Sequence, residues 1–295
     1  MKNFNDIYER VYKECNEELE TLRKKSRNET IIVLIMFMLI GIILTKLLKY
    51  EIFLTISLGL IIIYLAKSKK RMKYNLAFKE EIIKTFVKEY SENLDYRPLR
   101  GIDRATYIQA EFEGFDNYDS EDLISGILEG GYHINMGEVK TERESTDSDG
   151  DRTTYTLFHG VFANIKLDKT LNSIVKIRKN ATPLLFKRKQ KLEMDSGEFE
   201  KVYNVYTTDK IIAMQILTAD VMQMLLDFKE NNKITPEITI KGNNFYIRFP
   251  VGEVFEGSFI KSALDYGVLK KYFDIINFTL SLIESFSKNI SETEV

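Results

Sequence analysis

Apolar residues concentrate between Thr30 and Ala66. Ile31–Thr45 is almost wholly apolar, Lys46-Leu47-Leu48-Lys49-Tyr50-Glu51 interrupts the run, and Ile52–Ala66 resumes it. As one helix the stretch would measure roughly 55 Å at about 1.5 Å per residue, against a hydrocarbon core of about 30 Å. One crossing would also carry Lys46, Lys49 and Glu51 near the bilayer centre, which is costly. The pattern therefore predicts a two-span transmembrane helical hairpin over 30–66, with the polar break as its loop. The alternative, a buried hairpin of a soluble core, is disfavoured because such helices rarely lack polar residues on every face. A cleavable signal is disfavoured too, because about thirty polar residues precede the run and no A-x-A-like site follows Thr45.

The flanks of the hairpin are basic. Arg23, Lys24, Lys25 and Arg27 precede it, and Lys67, Lys69, Lys70, Arg71 and Lys73 follow it. Basic flanks favour the cytoplasmic side. Both termini are thus expected in the cytoplasm, and these nine bases are the candidate contacts to anionic lipid at the membrane surface.

Outside the hairpin the periodicity changes along the chain. Phe4, Tyr8, Val11, Cys15 and Leu22 recur at threes and fours and predict an amphipathic helix over 3–28. Met72, Leu76, Ile83, Phe86 or Val87, and Tyr90 predict another over 68–93. Pairing of the two as an antiparallel coiled-coil stalk is one expectation. Separate helices on the membrane or on the soluble domain are the other. Pro98 and Gly101 end this region.

Beyond it, 122–128 and 131–140 predict strands, 141–151 a polar loop, Thr153–Leu167 a long central strand and Ile174–Arg178 a short one. Ser196–Lys201 predicts a helical turn and Val202–Tyr206 a strand. Asp209–Leu217 and Ala219–Lys229 predict consecutive helices, with Thr218 as cap of the second. Glu237–Lys241 and Asn244–Pro250 predict a hairpin turning at Gly242-Asn243. A wide apolar stripe through Leu269, Phe273, Ile276, Leu280 and Ile283 predicts a core helix over about 263–287. Strands mixed with helices without strict alternation indicate an α+β domain with a mostly antiparallel sheet and packed helices. The expected division is 1–29 cytoplasmic helix, 30–66 hairpin, 67–97 juxtamembrane helix and 98–295 cytoplasmic domain.

Composition narrows the chemistry. A net charge of −2 gives no case for nucleic-acid binding. One cysteine, Cys15, excludes an internal disulfide framework and a cysteine-based zinc site. The loop beginning at Asp147 fails as an EF-hand, since Arg152 and Phe158 stand where Gly and Glu are required. No phosphate-cradling loop or Gly-x-Ser-x-Gly elbow occurs. Glu121 and Asp122 are adjacent, so a regular strand would point them to opposite faces. The segment Phe186–Lys191 is basic and reads as an exposed loop ahead of a membrane-docking one. No catalytic, cofactor or metal residues are assigned.

Several separated motifs carry a resemblance. They are Tyr118-x-x-Glu121-Asp122-x-x-x-Gly126; Gly137-Glu138-Val139; Thr154-x-x-Leu157-Phe158-His159-Gly160-Val161-Phe162; Lys191-Leu192-Glu193; Phe199-Glu200; Val205-Tyr206-x-x-Asp209; Ile216-Leu217-Thr218; Phe249-Pro250; and Phe255-Glu256. In order and spacing, roughly 75–285 resembles the bacterial membrane-protein family catalogued as domain of unknown function 3137. Ser120 stands where that family usually has Gly, and Ala219 where Pro is common. The resemblance implies a paired-helix anchor in the bacterial inner membrane, a cytoplasmic domain, and a LemA-type membrane protein as candidate partner. It assigns no reaction. The leading expectation is a membrane-anchored, non-enzymatic binding or scaffolding protein, with a second copy of the chain as a further candidate partner. The alternative is a membrane-tethered ligand sensor or enzyme with a site around Glu121, Glu138 and His159.

Overall fold

The computed structural model describes residues 3–48, 56, 59, 72–128, 130–147, 149–180, 191–257 and 264–292. Two compact units separate: Tyr90–Val254 with Lys270–Val295, and Lys2–Glu89 with Phe255–Leu269.

The first unit is α+β. Its strands are β1 (Leu94–Arg97), β2 (Asn117–Ile127), β3 (His133–Thr146), β4 (Arg152–Lys179), β5 (Lys191–Leu192), β6 (Tyr203–Thr207) and β7 (Glu237–Phe249). They form one sheet in the order β1-β2-β3-β4-β6-β5, with β7 also on β4. Each pairing is antiparallel. The sheet is organised by β4, whose 28 residues pair first with β3 and then with β6 on one side, and with β7 on the other. Alternation along β7 sends Phe245, Ile247 and Phe249 to one face and Tyr246 and Arg248 to the other.

The first face is covered by helices. Phe228, on the helix Ala219–Asn232, stacks on Phe278 at 4.0 Å and meets Phe249 at 5.6 Å. Phe286 meets Phe245 at 5.4 Å. On the second face Tyr107, Ala110, Phe112, Val139, Phe158, Phe162 and Tyr246 form an aromatic-rich core.

Several elements differ from the pattern-based reading. Thr153–Leu167 and Ile174–Arg178 are one continuous strand, because β7 bridges both pieces across register shifts between Lys166 and Ile174. The hairpin expected at Gly242-Asn243 is instead an unbroken β7: Gly242 takes a φ of +60°, and β4 bulges opposite it while pairing continues on both sides. The polar loop expected from 141 starts after Thr146, and a turn closed by Asp147 follows. The second amphipathic helix stops at Tyr90, and β1 follows it.

The helices, in chain order, are α1 (Phe4–Leu48), α2 (72–90, with a π turn at Lys79–Ile83), α3 (Arg104–Gln109), α4 (Gly197–Val202), α5 (Lys210–Ile216), α6 (Ala219–Asn232) and α7 (Tyr266–Glu292). Ser196 caps α4 through Phe199 N–H, and Asp209 caps α5 through Ile211 and Ile212 N–H. Thr218 occupies the cap position of α6 without a side-chain bond.

In the second unit α1 continues past residue 28 without a break. Phe4, Ile7, Val11 and Leu19 of α1, and Tyr74, Phe78, Ile82, Ile83, Phe86 and Val87 of α2, are all buried. Arg10 pairs with Glu89 at 3.0 Å, while Arg23 acts electrostatically on the Tyr74 phenol. Both pairs have residue numbers summing to nearly the same value, so the two helices run antiparallel. Tyr266 seals the N-terminal end of α1, packing edge-on against Phe4 at 4.9 Å and bonding Asn5 at 2.9 Å.

No single helix among the described residues is long and apolar enough to cross a membrane. The bent pair α5 and α6, at 64°, passes that test together. Its Ala213, Ile216, Val221 and Leu225 are fully buried in the sheet unit, as in a soluble core. The polar break from Lys49 and the second span lie outside the described residues, apart from Ile56 and Gly59.

Candidate functional site

Glu121, Asp122 and Glu138 meet at a β-bulge. Glu121 and Glu138 are directly opposed on β2 and β3, and the register breaks between Glu121 and Ile124. Asp122 takes a φ of +61° there. The bulge suspends the usual alternation. One carboxylate oxygen from each of the three acids thus comes within 4.8 Å of the others. Asp122 is fully buried, accepts the Tyr96 hydroxyl, and its N–H is held by the Pro98 carbonyl at 3.2 Å.

Glu138 is tied at both oxygens. Oε1 lies 2.7 Å from His159 Nε2, and Oε2 accepts Val254 N–H at 2.8 Å. Burial pushes the Glu138 carboxyl above the usual carboxylate range; the Val254 N–H and His159 draw it back only in part, and Glu121 adds to the rise. Burial likewise raises the Tyr96 phenol, and Asp122 reinforces the effect. Three hard oxygen donors are a set that Mg2+ or Ca2+ accepts. Here, however, Asp122 Oδ1 already accepts the Tyr96 hydroxyl, and both Glu138 oxygens are taken by His159 and Val254. The cluster is tied inward, with Glu138 linking β3 to His159 on β4 and to the Val254 N–H.

A second polar cluster lies on the aromatic face. Arg248 bonds Glu237 at 2.8 Å and Tyr107 at 2.9 Å, pairs also with Glu113, and stacks 4.3 Å from the Phe112 ring and 4.8 Å from Phe158. Arg178 stacks 4.4 Å from the same Phe112 ring and bonds Thr239 at 2.6 Å and the Ile238 carbonyl. Burial pushes the Arg178 guanidinium down to about 9. For Glu237 burial works upward, but Arg248 and Arg178 outweigh it and hold the carboxyl below its ordinary value. None of these four charged residues is legible as a core group in the sequence. Arg248 and Glu237 fall on the polar beat of β7 and read as solvent-facing.

The sequence-derived residues divide. Glu121, Glu138 and His159 are brought together. Of the basic flanks, Arg23 is not a surface base: it is 5 % exposed and held by Glu20 at 2.9 Å. Lys24, Lys25 and Lys73 are exposed, and Arg27 is half-buried. Lys67, Lys69, Lys70 and Arg71 lie outside the described residues, as does the basic segment up to Gln190.

A mostly antiparallel sheet with helices on one face and an aromatic core on the other defines an α+β protein with two internal ionic clusters. Residues 156–288 match the family model described as protein of unknown function DUF3137. The matched part carries the motifs from Leu157 to Glu256. No curated protein matches. Among solved structures, the crystal structure of the mycobacterial trehalose monomycolate transport factor A, TtfA, is similar, with 10% identity and a TM-score of 0.38 over 67% of this chain and 86% of that chain.

Proposed function

We propose that this is a membrane-anchored, non-enzymatic binding or scaffolding protein that presents its α+β domain to a protein partner in the cytoplasm of a bacterium. The observation that supports the anchor lies on α1. Ile31, Ile32, Ile35, Met36 and Leu39 are 44 to 55% exposed on one face of a helix that continues from the buried residues Phe4 to Leu19. An apolar face of that kind needs cover that the described residues do not supply, and the apolar second half of the hairpin follows in the sequence. The paired helices α1 and α2 would then form the stalk below the bilayer. The ionic groups of the domain are engaged within it: Arg248 pairs with Glu113 and Glu237, and Glu138 with His159.

Purification of the full-length chain in mild detergent, with mass spectrometry of what it retains, tests the binding role. The reading expects a stoichiometric polypeptide, with a LemA-type membrane protein and a second copy of this chain as the candidates. Turnover of a small substrate that disappears in Glu138→Gln would contradict it.

A second reading is favoured by one observation, the convergence of Glu121, Glu138 and His159. It makes the domain a membrane-tethered ligand sensor or enzyme. A ligand-dependent rise in thermal midpoint that is lost in His159→Ala would select it.

A further inference from the structure

A cleft of about 340 Å3 opens on the sheet unit, away from the acidic cluster, lined by Lys179, Asn180, Lys201, Val202, Lys229 and Thr235. Its three lysines come from three elements: Lys179 ends β4, Lys201 lies on α4, and Lys229 is in the last turn of α6. Like charges from separate elements repel, and a concave wall concentrates their field. Lys229 on its own is explained locally, since it pairs with Glu230 at 2.8 Å and complements the carbonyl end of α6. Lys201 is not explained that way: it has no ion pair among the described residues. The Thr235 hydroxyl also has no hydrogen bond among them, and it lies on the same wall.

The backbone of the wall is cross-tied. Asn180 donates to the Glu200 carbonyl at 2.8 Å and accepts from Asn204 at 3.0 Å, which locks the end of β4 to α4 and β6. Lys179 N–H is fixed by Glu237 at 3.0 Å. Three lysines and a threonine therefore line a space at the small end of the ligand-pocket range of about 300–1,000 Å3. Lysine is a point-charge phosphate binder, and it needs no planar geometry in its ligand.

We propose that this cleft binds a small phosphate-bearing anion, a phosphomonoester or diphosphate group, through Lys179, Lys201 and Lys229 with Thr235 as hydroxyl donor. The group could belong to a free phosphoester or to a phospholipid headgroup; the chemistry is shared.

The test is calorimetric titration of the full-length chain in detergent with inorganic phosphate, pyrophosphate, glycerol 3-phosphate and dihexanoyl phosphatidic acid. Saturable binding is expected. It should weaken about tenfold in Lys201→Gln, the scale of one charge-assisted hydrogen bond, and vanish in Lys179→Gln with Lys201→Gln. Binding should be unchanged in Lys166→Gln, an exposed lysine elsewhere on β4. Equal affinity for glycerol 3-phosphate and the short-chain lipid assigns a free phosphoester; clear preference for the lipid assigns a headgroup. Absence of saturable binding, or binding indifferent to the double substitution in a variant with an unchanged thermal midpoint, overturns the proposal.

Discussion

Glu138 and His159 face each other diagonally across β3 and β4, a carboxylate oxygen 2.7 Å from the ring Nε2. Burial raises the Glu138 pKa above 4.5, so between 4.5 and the raised value the folded state holds more protons than the unfolded one. By linkage, that group's contribution to stability falls as pH rises through this window. Denaturant unfolding from pH 4.5 to 7 should show wild type losing stability relative to Glu138→Gln as pH rises. Glu138→Ala should be worse than Glu138→Gln at every pH by about 1–3 kcal/mol, because it leaves Val254 N–H buried without its acceptor.

The Arg248 cluster has the opposite sign. The Glu237 carboxyl lies below its ordinary value, so its contribution is present above pH 4.5 and is lost as pH falls through the depressed value. Glu237→Gln should flatten the acid limb of the stability profile. Arg248→Ala should cost about 3–5 kcal/mol at neutral pH, since Glu113 and Glu237 would remain buried beside an empty position. Equilibrium unfolding of the two variants checks both.

Gly160 is a steric requirement of the β4–β7 pairing. A Cβ there would stand 2.0 Å from the Phe249 carbonyl oxygen and 2.8 Å from Val251 N, both backbone atoms that cannot turn aside. Gly160→Ala should destabilise by about 1–3 kcal/mol or more, as overpacking does. Gly197→Ala, with open space at its Cβ, is the control.

Ile83 is fully buried in α2, and Tyr8 lies on the facing helix α1. A cysteine at Ile83 should resist a bulky thiol reagent in the intact protein, and Ile83→Ala should cost about 2–5 kcal/mol. Rapid labelling at Ile83 under native conditions would contradict the paired-helix account.

The sequence conveyed the class of the domain well and its joints poorly. The apolar beats of β3, β4, α6 and α7 were legible because each element buries one regular face. The hairpin expected at Gly242-Asn243 failed because the signal for a turn residue is local, whereas β4 supplies pairing on both sides of Gly242 from far along the chain. The acid cluster was half visible. Glu121, Glu138 and His159 could be named, but strict alternation argued against Glu121 and Asp122 converging, and only the bulge at Asp122 makes that possible. Arg178 and Arg248 were hidden for a related reason: a polar residue on the polar beat of a strand reads as solvated until the opposite face acquires its own cover, here Phe112 and Phe158.

The anchor is the claim on which the proposed role depends, and alkaline carbonate extraction of cell membranes containing the full-length chain tests it most directly. The account predicts that the protein stays in the membrane pellet, and that a variant carrying Ile35→Lys and Leu39→Lys is released. Recovery of the wild-type chain in the soluble fraction before or after extraction would contradict it.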